Sequence, residues 1–251
     1  GMGKTIQALS VCAALWRKNP SARILVFAPR EAVAQNWANE YKAFISTHYR
    51  EYDDRVKTSV EGKPVHEPIL CKDIYDLCES VHNGWGRFFI AKTTSFSFLL
   101  SSLARKQEKG KLEVLRSKFD SIGVRINKGD GIHKLEKEKM LQVITEYLRD
   151  NLIENNLKFD LLIIDEAHYY RNFNGGSMRV MAAKSFFGKG ENALASKVLL
   201  LTATPNHSSP DNVKGMISYF HDDLPNNAPG EILDKIAVRR YRTLGDKGMI
   251  K

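Results

Sequence analysis

The sequence predicts an α/β domain, a mostly parallel sheet with helices on both faces. Four short segments carry that prediction: Ile24 to Ala28, Phe88 to Ala91, Leu161 to Asp165 and Val198 to Thr202. Each is continuously apolar rather than alternating, as a strand covered on both sides must be. Stretches with apolar residues at helical spacing lie between them, and strands alternating with helices build parallel sheets.

The helices can be placed in order. Thr5 to Trp16 carries Ile6, Leu9, Ala13 and Trp16 along one face, and Ala32 to Phe44 carries Trp37, Tyr41 and Phe44. Trp37 reads as a core anchor rather than a platform for stacking bases. Leu135 to Leu152 repeats Leu135, Leu141, Leu148 and Leu152, with Met140, Ile144 and Tyr147 between them. The stretch from about Ser101 to Asn156 is long for one connection. It reads as a charged helix, a glycine-broken turn at Lys128 to Gly131 and then the amphipathic helix, a helical elaboration on one domain spanning 1–251. Glu51 to Cys78 reads as an irregular loop excursion, and no internal repeat is evident.

Composition narrows the classes. With 43% hydrophobic residues in 251, a sizeable core is expected. No apolar run approaches the roughly 20 residues that cross a bilayer, so no membrane partner is expected. The three cysteines, Cys12, Cys71 and Cys78, are too scattered for a disulfide framework, and a reducing compartment is the natural one. That means the cytoplasm, with the nucleoid in a microbe or the nucleus in a eukaryote. His66 and His82 lie near Cys71 and Cys78, but the gap between these cysteines exceeds the usual spacing of about two to four between paired zinc ligands. Lysine and arginine number 38 against 29 acidic residues, a net charge of +9. Such an excess suits a polyanionic partner. A solvated helical surface between Arg105 and Lys139 would account for part of it equally well.

Two constellations carry chemistry. The first is Gly1-Met2-Gly3-Lys4-Thr5 at the N-terminus, the end of a phosphate-binding loop. In the pattern G-x-x-x-x-G-K-[ST], Lys4 would reach the outer phosphates and the Thr5 hydroxyl would hold magnesium. The glycines let backbone N–H groups turn inward, and the following helix offers the positive end of its dipole. The first glycine of that pattern falls ahead of Gly1, so the expected sheet lacks its first strand. The alternative is a surface turn that happens to read Gly-Lys-Thr. The second constellation is Asp165-Glu166-Ala167-His168, placed where an aliphatic strand runs out. Asp165 could bind magnesium and Glu166 could take a proton from, or orient, an attacking water. A polar strand end with a packed histidine is the plain alternative. Together the two constellations read as a site for a nucleoside triphosphate and magnesium, with Lys4, Asp165 and Glu166 catalytic.

With these residues in place the chain resembles the first RecA-like domain of superfamily two helicases and translocases. Ile24 to Pro29 followed by Gln35-Asn36-Trp37 and Glu40 is similar to that family's second motif. The run NWANEYKAF resembles the Swi/Snf-type subgroup. Ala91 to Phe96, with Thr93 and Thr94, is similar to the next motif. Thr202-Ala203-Thr204 is similar to the family's coupling motif, while Asp160, Arg171 and Asn172 around the acidic box and the paired Arg239 and Arg240 follow the subgroup pattern. Asn206 to Ser209 and Tyr169-Tyr170 depart from it.

The resemblance implies an ATP-driven motor on nucleic acid, double-stranded DNA first, working with a second RecA-like domain of the same polypeptide. It implies that Pro29, Arg30, Thr93 and Thr94 touch the phosphate backbone, which suits readout that ignores bases. It implies that His168, Thr202 and Thr204 couple the nucleotide site to that path. Three other readings stand beside it: the motor of a restriction or defence enzyme, a non-hydrolysing nucleic-acid scaffold, and an RNA track.

Overall fold

The computed structural model describes residues 3–48, 59–60, 63–64, 67–98, 119, 134–170, 177–203 and 211–220. Along the chain these form α1 (Lys4–Lys18), β1 (Ile24–Ala28), α2 (Glu31–His48), β2 (Ser59–Val60), β3 (Lys63–Pro64) and β4 (Ile69–Leu70). There follow α3 (Ile74–His82), β5 (Phe88–Lys92), α4 (Lys134–Glu154), β6 (Leu161–Ile164), α5 (Met178–Phe187), β7 (Val198–Leu200) and α6 (Asp211–Ile217). Short 3-10 turns cover Thr93–Phe98, Ala167–Tyr170 and Gly190–Asn192.

Five strands make one sheet in the order β4-β5-β1-β6-β7, and every pairing is parallel. β2 and β3 form a separate antiparallel pair. Period-two alternation sends Leu25, Phe27, Phe89, Ala91, Leu162 and Ile164 into one cluster, together with buried residues of α3, α4, α5 and α6. Ile24, Val26, Ala28, Phe88, Ile90, Leu161 and Ile163 point the other way, against α1 and α2. Both faces are covered, which is why β1, β5 and β6 carry no polar alternation. The predicted α/β class and the helices on both faces are therefore found.

Aromatic rings fill the two layers. Phe27 lies 5.3 Å from Phe96 and 5.2 Å from Phe187, centroid to centroid. On the opposite face Tyr41 stacks on Phe88 at 4.3 Å, with Trp16 set edge-on to Tyr41 at 6.0 Å. The amphipathic helix α4 lays Met140, Leu141, Ile144, Leu148 and Leu152 into the first cluster, so it shares the main core.

Some boundaries move. The strand expected at 161–165 ends at Ile164, and the one expected at 198–202 ends at Leu200. In both cases ladder hydrogen bonds continue one residue further, at Asp165 and Leu201, before the chain leaves the sheet. The expected loop excursion at 51–78 contributes structure: β4 pairs with β5, and α3 begins behind Asp73, whose side chain accepts from Asp76 N–H at 2.9 Å. That aspartate is an N-cap signal and Ile74, Leu77 and Val81 keep helical spacing, so α3 follows from local chemistry. α5 is capped likewise by Ser177, which accepts from Val180 N–H at 3.3 Å. The expected charged helix after Arg105, the turn at Lys128 to Gly131 and His66 lie outside the described residues.

Cys12 and Cys71 are buried, and desolvation pushes both thiols well above the ordinary range. Neither is expected to react with iodoacetamide at pH 8 in the folded protein, and both are expected to react in urea, as read by mass spectrometry. Phe27→Ala is expected to cost about 3–5 kcal/mol in chemical denaturation, the usual loss for a buried aromatic.

Candidate active site

Parallel pairing decides which side chains can meet. In register, Phe27 stands beside Ala91 and Ile164, and Ile164 beside Leu200. The ladder runs slightly further, with Asp165 N–H donating to Phe27 O at 3.0 Å and Ala167 N–H to Leu201 O at 2.8 Å. The residues after these rows, Pro29, Thr93, Glu166 and Thr202, thus leave the sheet at one edge. This is the carboxyl edge, where parallel sheets hold ligands.

α1 starts against that edge. Its N-cap is Gly3, in the left-handed region at φ 67°, with no side chain capping the first turn and no acidic residue in it. A residue with a Cβ would be strained in that conformation, which is the reason for glycine there. An uncapped helix start of this kind presents N–H donors and positive dipole to an anion. Lys4 and Thr5 follow in the first turn, both half-buried. Lys4 Nζ donates to Glu166 Oε1 at 2.8 Å, a contact across 162 residues of chain. The two constellations read from the sequence therefore meet.

The adjacent carboxylates have different surroundings. Asp165 is buried, with 9% of its surface exposed. Its Oδ2 accepts the indole N–H of Trp37 at 2.9 Å and its Oδ1 accepts the Glu166 backbone N–H at 2.9 Å. A carboxylate has about four acceptor positions, so further ones stay available after these two bonds. Carboxylate and hydroxyl oxygens suit a hard divalent cation, so Asp165 and Thr5 fit the magnesium assigned to them.

Glu166 takes φ 49°, one of two non-glycine residues with positive φ among those described. Such a conformation costs about 1–2 kcal/mol. Its neighbours hold it: Glu166 O accepts from Tyr169 N–H at 3.0 Å, and Ala167 is tied to Leu201. The turn sends the Glu166 carboxylate back toward Lys4. Its other oxygen, Oε2, lies 3.2 Å from His168 Nδ1, which is also 3.5 Å from Thr202 Oγ1. Lys4, Glu166, His168 and Thr202 thus form a continuous polar line from α1 to the strand end after β7.

The residues read as nucleic-acid contacts occupy the same edge in two environments. Pro29 is half-buried and Arg30 exposed, immediately before α2. Glu31 in the first turn of α2 pairs with Lys92 at the end of β5, which ties this loop to the next. Thr93 is buried, and its hydroxyl accepts from the Tyr170 hydroxyl at 3.0 Å, while Thr94 is half-buried. Asp160 lies before β6, at the opposite end of that strand, and accepts the Arg23 backbone N–H at 2.9 Å. Gly1, Met2, Thr204, Arg171, Asn172, Arg239, Arg240 and Asn206 to Ser209 lie outside the described residues.

Trp37 and Tyr170 hold residues of the site through side-chain hydrogen bonds that the sequence reading did not anticipate. Trp37 is a core anchor as expected, at 1% exposure. Every buried indole also needs an acceptor for its N–H, and that signal could have prompted a search for one.

A model of the family described as type III restriction enzyme, res subunit, matches residues 1–207. The chain belongs to that family. No curated protein and no solved structure matches it. The family is helicase-like, so the sheet with its phosphate loop is a nucleotide-binding RecA-like domain, as expected, and the chain is part of an ATP-dependent nucleic-acid motor. No helix among the described residues is long and apolar enough to cross a membrane.

The Lys4–Glu166 pair leaves 24% and 31% of its side chains exposed. Pairs this open to water contribute about 0–1 kcal/mol. Lys4→Met is therefore expected to change unfolding free energy by less than about 1 kcal/mol, with a larger loss in urea denaturation contradicting the assignment of Lys4 to ligand binding rather than to the fold.

Proposed function

We infer that the chain is the ATP-binding half of a DNA translocase, with double-stranded DNA as its track, working as the motor of a restriction or defence enzyme. The observation that carries the nucleotide-hydrolysing part of this reading is the 2.8 Å contact of Lys4 with Glu166 at the carboxyl edge of the sheet. The match to a restriction-subunit family supports the restriction reading over the Swi/Snf-type subgroup suggested by the Trp37 to Phe44 pattern.

In this reading the helix start at Gly3 and Lys4 receives the β- and γ-phosphates, and Lys4 leaves Glu166 for them. Asp165 and Thr5 would hold magnesium, which would supply charge neutralisation on the phosphate oxygens. Glu166, released from Lys4, orients a water and accepts its proton. The water oxygen bonds to the γ-phosphorus while the bond to the bridging oxygen breaks, leaving ADP and phosphate. His168 and Thr202, in line with Glu166, carry the state of the site toward the strand ends. Arg30 and Thr94 lie at the same edge and supply backbone contacts to DNA. Thr93, held by Tyr170, fixes the loop that presents Thr94. A second RecA-like domain of the same polypeptide would complete the site with an arginine, a group that adds several orders of magnitude in related phosphoryl transfers.

The test is DNA-stimulated ATP hydrolysis by the full-length protein. Glu166→Gln is expected to lower turnover at least about a hundredfold, as loss of a general base does, while nucleotide still binds. Equal rates for wild type and variant would favour a scaffold instead.

A further inference from the structure

Two tryptophans lie buried in the same layer, each at 1% exposure, and their N–H groups are spent differently. Trp16 donates to a backbone carbonyl, Ala22 O, at 3.0 Å. That is ordinary satisfaction of a core indole. Trp37 instead donates to Asp165 Oδ2 at 2.9 Å, across 128 residues of chain. The acceptor is the carboxylate assigned to magnesium.

The helix that carries Trp37 has a second attachment. α2 begins directly after Arg30, and its first-turn Glu31 pairs with Lys92, the residue before Thr93. One helix therefore touches the Asp165 carboxylate through its second turn and both nucleic-acid loops through its first. Ala34, Trp37, Ala38 and Tyr41 seat it against the sheet.

We propose that Trp37 is a positioning residue for nucleotide hydrolysis, acting through Asp165. Its indole N–H holds one carboxylate oxygen and so sets where the remaining acceptor positions point. Displacement of α2 by DNA at Arg30 and Thr94 alters that hydrogen bond, which makes Trp37 a link by which the track modulates the metal-holding carboxylate. The inference rests on the ATPase reading above.

The discriminating variant is Trp37→Phe, which keeps an aromatic ring in the core and deletes the N–H. In the full-length protein, half-saturating magnesium for ATP hydrolysis is expected to rise about tenfold or more, the usual effect of losing a hydrogen bond to a metal-holding side chain. DNA stimulation is expected to fall, with the KM for ATP moving less than kcat. A purely structural role would lower the unfolding temperature and leave the magnesium dependence and DNA stimulation of the folded fraction unchanged; that result overturns the proposal. A second readout needs no turnover. The Trp37 indole N–H resonance, assigned by its disappearance in Trp37→Phe or its shift in Asp165→Asn, is expected to shift when magnesium and ADP are added to the wild type. An unmoved resonance overturns the proposal even where Trp37→Phe does not fold. Absence of any ATPase in the wild type would instead defeat the functional reading, and a moving resonance in that case would still support the Trp37–Asp165 link.

Discussion

A parallel sheet brings all its strands out at the same edge, and the register of β1, β6 and β7 fixes how far each one protrudes there. Asp165 N–H bonded to Phe27 O continues the ladder just beyond β6. From that point the chain turns through the left-handed conformation of Glu166 and cannot continue as a strand. The place of the acidic pair at the sheet edge is thus set by backbone pairing and by apolar layers on both faces, not by the Lys4–Glu166 ion pair. The contact of Lys4 with Glu166 is too open to water to hold the fold together. It is available for exchange with a ligand for the same reason.

Asp165 and Glu166 differ in burial in a way that suits the two roles proposed for them. Asp165 is enclosed, with a buried indole donor on one oxygen and a backbone donor on the other, so its geometry is fixed before any ligand arrives. Glu166 projects from a strained turn among Lys4, His168 and Thr202, and its partners are partly exposed. A fixed carboxylate suits a metal, which demands defined geometry. A more open one with exchangeable partners suits a proton acceptor that must release one contact to make another.

Much of this was legible in the sequence, for identifiable reasons. β1, β5 and β6 are covered on both faces, so their apolar runs could not be mistaken for alternating surface strands. Gly3-Lys4-Thr5 and Asp165-Glu166 stand out because phosphate- and metal-binding patterns restrict residue type at close spacing, and the structure brings Lys4 to Glu166. What escaped was short or long-range. β4 has two residues, too few for any periodicity. α3 carries a readable cap and apolar spacing, but the sequence before it has no clear periodicity and obscures its start. Thr93 looks like a free hydroxyl in a motif, whereas its hydrogen bond to Tyr170 spans 77 residues. The Trp37 bond to Asp165 joins two elements whose proximity exists only once α2 lies over β6. Tertiary partners of a single polar atom have no local pattern.

The central claim is that Lys4 and Asp165 act on one bound magnesium–nucleotide complex. A double-mutant cycle on the affinity of the full-length protein for magnesium-ADP measures this directly, using Lys4→Met, Asp165→Asn and their combination. Groups sharing one ligand complex are expected to be coupled, with the double variant departing from the sum of the single effects by about 0.5–3 kcal/mol. Additivity within about 0.3 kcal/mol, or single substitutions that leave the affinity unchanged, would contradict a common site.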